Sequence, residues 1–312
     1  MIFKKKRILT ISGAFRLKIL AKTFAKVNPR LRVLGKLEDG YHELDISFLS
    51  VNLADRMTFE SSNRGKIMVS TAADIPPEEN LCYKVARKLQ ESCSVNQGAD
   101  ITLEKQIPIG GGLGGGSSNA ATTLICLNRL WNCDMSRMDL IEIGKKFGAD
   151  VPFFFYGGYC TGKGNGAELR KRENVFHDRL IPLIAPPFNQ LTSEVYDKFD
   201  QLRNGPEMQL KKKDPGYPPG IGHFTVKNDL QRASIELNPE LRTYLNLLES
   251  ASTVEAAGLA GSGSSIFGIS RKDVSTGEIE KELKEDLGSI SEEARLTVTR
   301  PTNHGQLIRE EE

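Results

Sequence analysis

Ile101-Thr102-Leu103-Glu104-Lys105-Gln106-Ile107 leads straight into Pro108-Ile109-Gly110-Gly111-Gly112-Leu113-Gly114-Gly115-Gly116-Ser117-Ser118-Asn119, and this junction decides the fold. The first segment alternates. Ile101 and Leu103 share one face, Thr102, Glu104 and Gln106 the other, as in a strand buried on one side only. Seven of the eight residues from Gly110 to Ser117 are Gly or Ser. Glycine permits positive φ and lets backbone N–H groups close on a ligand. Beyond the run, Ala120, Ala121, Leu124, Leu127 and Trp131 recur at helical spacing. A glycine loop that opens a helix aims its amides and the helix dipole at one point, which favours an anion such as phosphate. Ser117 and Ser118 stand where a hydroxyl caps the helix or faces a phosphate or its Mg²⁺.

Other phosphate loops fit less well. No Gly-Lys-Ser/Thr occurs, so the GxxxxGK[ST] loop is absent. Gly110, Gly112 and Gly115 match GxGxxG. The strand before a dinucleotide loop, however, lies in a sheet buried on both faces and is nearly all apolar, unlike the two-faced strand here. A plain surface turn is disfavoured by so many small, uncharged residues between a good strand and a good helix.

The 312 residues suggest two domains or one large one, at roughly 150 residues per domain. With 39% hydrophobic and 26% charged residues, the composition is that of a globular protein with a large core. No stretch approaches the roughly 20 uninterrupted apolar residues of a membrane span. Net charge is +2 but uneven: residues 1–37 hold eleven Lys or Arg and no acid, so the remainder is acidic. Residues 1–23 read as a basic extension, poorly ordered or targeting, with poor order preferred. Five cysteines, an odd number without a CxxC pair, argue against a disulfide framework and for reduced thiols in or near the core. These features predict a cytoplasmic setting.

Short strands are predicted at 46–53, 57–60 and 66–70, and helices from Glu78 and from Met138 to Phe147. The later half alternates strands at 180–184 and 268–270 with helices at 240–248 and 276–287. Residues 172–190 are turn-rich. Residues 204–223, with four Pro and Lys211-Lys212-Lys213, read as a surface loop. The last ten or so polar residues are expected to fray.

The glycine run resembles the phosphate motif of the GHMP kinases. Phe24-Ala-Lys-Val-Asn resembles their N-terminal motif, and Gly258-Leu-Ala-Gly-Ser-Gly-Ser-Ser-Ile-Phe-Gly their C-terminal glycine motif. Asp39-Gly-Tyr-His-Glu-Leu, Glu79-Asn-Leu, Phe147-Gly-Ala-Asp-Val-Pro-Phe-Phe and Asn228-Asp-Leu resemble the branch that acts on 4-diphosphocytidyl-2-C-methyl-D-erythritol. The resemblance runs from about residue 24 to 270, with a final strand expected at 294–298. It implies an α+β, two-domain GHMP kinase fold. Residues 24–175 would be an ATP-binding domain like domain 2 of ribosomal protein S5, and 176–312 a ferredoxin-like C-terminal domain. One departure is Pro29, where the family usually has an apolar, strand-forming residue. Proline removes a ladder donor and bears on how Lys26 and Asn28 are presented.

The resemblance also implies roles. Asp150, ahead of an apolar run, is by itself equally a cap or a partly desolvated acid; by resemblance it is the catalytic base. Lys26, otherwise one solvated cation among many, becomes the lysine paired with it. Tyr41 and His42 would form the cytidine pocket, with Tyr196 as a second aromatic wall and Thr192 nearby, although a lone His is more often structural. Asn28 would bond the erythritol end. Lys105, Asn80 and Leu81 would contact adenosine, and Pro108 to Ser118 the phosphates. Gly261, Ser262 and Gly263 form either a simple β-turn or a wall near the substrate phosphates. The implied cofactors are ATP and Mg²⁺, with no dedicated protein metal site.

Three readings follow from the residues and the resemblance. The first is a kinase of the 2-hydroxyl of the cytidyl substrate in non-mevalonate isoprenoid biosynthesis. The second is another GHMP kinase, acting on homoserine or a mevalonate, which the Gly-Tyr-His-Glu cluster argues against. The third is a non-catalytic nucleotide- or nucleic-acid-binding protein, supported only by the basic start. Under the first, the partner is a small molecule, without nucleic acid or membrane, and the protein is a monomer or homodimer.

Overall fold

The computed structural model describes residues 17–203 and 224–311, apart from 39, 63, 64, 73, 74 and 77. The predicted loop at 204–223, Asp39 of the Gly-Tyr-His-Glu cluster and the basic residues before 17 lie outside the described residues. In chain order, strands β1 (Lys18–Val27), β2 (Arg30–Lys36), β3 (His42–Ser62) and β4 (Ile67–Thr71) precede helix α1 (Leu81–Cys93). Strand β5 (Gly98–Glu104) is followed by α2 (Gly115–Leu130), α3 (Arg137–Lys145) and α4 (Val151–Tyr156). Then come β6 (Tyr159–Lys163), β7 (Glu168–Arg172), β8 (Ile181–Ala185), α5 (Thr192–Arg203), β9 (Lys227–Asn228), α6 (Gln231–Leu237) and α7 (Leu241–Ser250). Strands β10 (Val254–Leu259) and β11 (Ile266–Ser270), helix α8 (Thr276–Ile290), β12 (Arg295–Thr299) and β13 (Gln306–Glu311) complete the described chain.

The spine of the first sheet is β3, 21 residues long. Its first half pairs antiparallel with β2 and β6, its second half with β1 and β5. The sequence suggests two short strands here, but the ladder with β1 continues across the gap with one register shift, opposite Phe24 and Ala25, and Asp55 within it is buried. Helices α1, α2 and α4 contribute Val85, Leu89, Leu124, Leu127, Phe153 and Phe154 to a core shared with Phe59 and Ile101 of the sheet.

The second sheet has the order β10-β11-β8-β12, all antiparallel. Its chain order, strand–helix–strand–strand–helix–strand, is the ferredoxin-like arrangement. Helices α7 and α8 cover it through Tyr244, Leu245, Leu248, Ile279 and Leu283. A third cluster joins the two sheets, with Ala25, Val27, Leu49 and Val51 from one and Leu183, Phe267 and Ile269 from the other. No helix among the described residues is long and apolar enough to cross a membrane.

Several expectations are corrected. Residues 18–23 are not an extension: they lie within β1, paired on both sides, with Ile19 and Thr23 fully buried. The polar tail does not fray, because Gln306–Glu311 forms β13 and pairs with β1. That strand and β9 belong to the first sheet, so 176–312 is not confined to the second. Pro29 lies in the tight turn between β1 and β2, outside the ladder, and costs no strand donor. The thiols are not all reduced: Cys93 and Cys133 form a disulfide across a Cα–Cα distance of 5.6 Å, while Cys82, Cys126 and Cys160 are free and buried.

Phe59 is fully buried between β1 and β5. Phe59→Ala should destabilise the protein by about 3–5 kcal/mol, read as a lower urea midpoint.

Candidate active site

The cleft lies where the two sheets meet and has a volume of about 890 Å³. At its centre Lys26, from the C-terminal end of β1, is 3% exposed. Its Nζ donates to Asn28 Oδ1 at 2.7 Å and stands 3.3 Å from Asp150 Oδ2. A buried ammonium needs such partners. Asp150 sits just before α4 but caps nothing, and its side chain is one-third exposed to the cleft. The carboxylate is therefore ionically paired and open on one side, as a proton acceptor requires.

The glycine loop lies over this pair. Lys26 N donates to Leu113 O at 2.9 Å. Gly112, at φ +73°, presses on the second glycine motif: a Cβ there would run into the carbonyl oxygen of Ala260. Gly261, at φ +59°, leaves a Cβ only 3.1 Å from Lys26 Nζ. Helix α2 begins after Gly114, also left-handed at φ +72°, with no side-chain cap. Ser117 and Ser118 thus do not cap it; they lie inside its first turn. The first amides of α2 stay unspent and face the cleft, a site for anionic oxygen.

Asp55 holds the loop from beneath. It is fully buried. Lys105 Nζ donates to it at 2.5 Å, the amides of Gln106 and Ile107 at 2.7 and 2.8 Å, and Asn119 Nδ2 at 3.0 Å. One carboxylate so fixes the end of β5, the entry to the loop and the first turns of α2.

At the other end His42, the first residue of β3, stacks on Tyr196 of α5 with ring centroids 4.6 Å apart. Burial, with the charge of Asp150, pushes the Tyr196 phenol well above its usual range, so it stays neutral. Thr192 and Ser262 join hydroxyls at 2.9 Å across the cleft wall. Burial also pushes the Cys82 and Cys160 thiols up to about 11, so neither is a ready thiolate.

The family model for the GHMP kinase N-terminal domain matches residues 80–158, and that for the GHMP kinase C-terminal region residues 221–288. A 4-diphosphocytidyl-2-C-methyl-D-erythritol kinase of Prochlorococcus marinus (strain MIT 9301) is 36% identical over 277 residues, covering 84% of this chain and 89% of the relative. The chain belongs to the 4-diphosphocytidyl-2-C-methyl-D-erythritol kinase family of GHMP kinases. A crystal structure of a 4-(cytidine 5'-diphospho)-2C-methyl-D-erythritol kinase, 27% identical, superposes with a TM-score of 0.67 over 90% of this chain and 99% of that one. A homoserine kinase from Cytophaga hutchinsonii, 17% identical, superposes at 0.69 over 97% and 100%, which shows the shared fold.

Within this family fold, nearly all the residues singled out in the sequence line one cleft, from Asn80 and Leu81 at one end to Tyr41 and His42 at the other. Two do not. Ser118 is fully buried within α2, and Gly263 faces Gln190 and Leu259 behind the wall. Asn80 spends its Oδ1 capping α1 through Cys82 N, and both ends of Asn28 are committed, Oδ1 to Lys26 and Nδ2 to Ser47 O. Lys105 is no solvated strand end; its ammonium is tied to Asp55 and, at 3.2 Å, to Asn119. Asp55, Asn119, Lys36 and Asp200 escaped the sequence reading. The one signal for Asp55 was an acid at the alternate position it shares with Leu53, Met57 and Phe59; for Asp200, its place one helical turn after Tyr196.

Gly112→Ala should force the two glycine motifs apart. We expect kcat/KM to fall about 10²-fold, the cost of a misplacement near 1 Å, with an unchanged far-ultraviolet circular dichroism spectrum.

Proposed function

We propose that this protein transfers the γ-phosphoryl group of ATP to the 2-hydroxyl of 4-diphosphocytidyl-2-C-methyl-D-erythritol, in non-mevalonate isoprenoid biosynthesis. The observation that carries the reading is the Lys26–Asp150 pair at 3.3 Å beneath the uncapped start of α2. Asp150 removes the proton of the hydroxyl as its oxygen attacks the γ-phosphorus. The new O–P bond forms as the bond to the β–γ bridging oxygen breaks, and ADP leaves. Lys26 keeps Asp150 ionised and stabilises the charge growing on the attacking oxygen. The loop amides and the α2 dipole receive the phosphate oxygens, so positioning and charge neutralisation do most of the work.

No group of three or more His, Cys, Asp or Glu among the described residues could hold a metal. The donors present suit Mg²⁺ only as an ion carried on the nucleotide phosphates, keeping most of its waters. Ser117, in the first turn of α2 and on the cleft, is the side chain that would reach it. The ion would offset phosphate charge. Tyr41, His42 and Tyr196 would take the cytosine, with Thr192, Gly261 and Ser262 along the diphosphate and Asn80, Leu81 and Lys105 toward the adenosine. The reading carries a cytoplasmic setting and a small-molecule partner, without nucleic acid or membrane, for a monomer or homodimer.

An ADP-release assay tests it. Wild-type protein should turn over the cytidyl substrate and neither homoserine nor mevalonate. Asp150→Asn should lower kcat about 10²–10⁴-fold with the KM for ATP little changed. A fully active Asp150→Asn variant would remove the base assignment.

A further inference from the structure

Three side chains of α5 hold one imidazole. Tyr196 stacks on His42 at 4.6 Å, Phe199 meets it edge-on at 6.3 Å, and Asp200 Oδ1 lies 2.7 Å from its Nε2. Asp200 also takes Lys36 Nζ at 3.2 Å through its other oxygen. Helix α5 thereby grips both strands flanking the β2–β3 connection, since Lys36 ends β2 and His42 starts β3. Burial raises the Asp200 carboxyl, but the hydrogen bonds from His42 and Lys36 outweigh it, and the group stays ionised, below its usual range.

An ionised carboxylate only accepts hydrogen bonds, so Nε2 must carry a proton. In a neutral ring Nδ1 is then the lone pair, an acceptor. His42 lines the cleft, and Nδ1 has no hydrogen-bond partner among the described residues. Its polarity is thus chosen by Asp200, a residue of another element 158 positions away.

We propose that Asp200 is a positioning residue that sets His42 as a hydrogen-bond acceptor, so that the site selects a pyrimidine bearing a C4 amino group over one bearing a C4 carbonyl. This rests on the function proposed above, which brings the nucleobase to this end of the cleft. An amino group donates to Nδ1. A carbonyl oxygen would meet a lone pair and leave two acceptors unpaired in a partly desolvated place, a mismatch that costs affinity.

The experiment compares the cytidine diphosphate substrate with its uridine counterpart in wild type and Asp200→Asn. Asparagine keeps the shape but can rotate its amide to present either oxygen or NH₂, so it imposes no tautomer. We expect wild type to prefer the cytidyl substrate, and Asp200→Asn to lose about 10-fold of that preference. The loss should fall on the KM for the cytidyl substrate rather than on kcat. A role only in holding α5 to the β2–β3 connection would raise KM for both substrates alike, and an unchanged preference would overturn the proposal. A nitrogen-15 NMR measurement of the His42 ring in the free wild-type protein decides independently of turnover. It should find the Nε2–H tautomer; an Nδ1–H or doubly protonated ring sinks the idea. Failure of the parent reading looks different: wild type would not turn over the cytidyl substrate at all.

Discussion

The buried carboxylate of Asp55 is the constraint on which the rest of the site depends. With no exposure to solvent it must find every hydrogen bond inside the protein. Its four donors come from the Lys105 ammonium, the Gln106 and Ile107 amides and the Asn119 amide group. Asn119 is in turn shared with Thr23 Oγ1 at 2.7 Å, which binds β1 into the same network. Removing one partner from a buried pair such as Asp55–Lys105 leaves an uncompensated charge, worth about 3–5 kcal/mol. The glycine loop, with few side chains of its own to pack, takes its course from this anchor at its entry and from α2 at its exit.

The second constraint is closeness. Lys26 reaches Asp150 only because the loop and the second glycine motif lie almost in contact above it. Gly112 and Gly261 permit this by two separate properties, positive φ and a missing Cβ where a backbone oxygen or the ammonium stands. The third cluster of apolar residues fixes the same approach from below, with Leu113 and Ala260, one from each glycine segment, buried in it side by side with Ile107. The polar geometry and the apolar core therefore agree on one relative placement of the two sheets.

What could be read from the sequence follows how local each cause is. The strand, glycine loop and helix were legible because their signals lie within about thirty consecutive residues. The pairing of Lys26 with Asp150 came from family resemblance; the spacing alone left Asp150 open between a cap and an acid, and in the structure its side chain makes no cap bond. Asp55 and Asp200 were missed because their partners are 50 and 158 positions away and nothing nearby marks them. The limits of β1 and β13 were misread for a related reason. Both are rich in charge, yet each pairs with the other, and the alternation that buries Ile19 and Ala21 is hidden among lysines. The disulfide was illegible too, since an odd cysteine count and a separation of 40 residues give no hint of two helices lying side by side.

The uncapped start of α2 joins stability to function. A helix N-terminus carries orphan N–H groups and about half a positive charge, and most helices cover it with a Ser, Thr, Asp or Asn side chain, as α3 does with Ser136 and α8 with Ser275. Here the N-cap is a left-handed glycine that offers no oxygen. A glycine in place of a capping side chain sacrifices only a few tenths of a kcal/mol, and the same open amides become the place where a phosphate oxygen is welcome. The loss is recovered on binding, because whatever occupies the site stabilises the folded state in proportion to the logarithm of its concentration over its Kd. The local conformation that weakens the empty helix is therefore the one that equips it to hold a triphosphate, and glycine at 114 serves both ends.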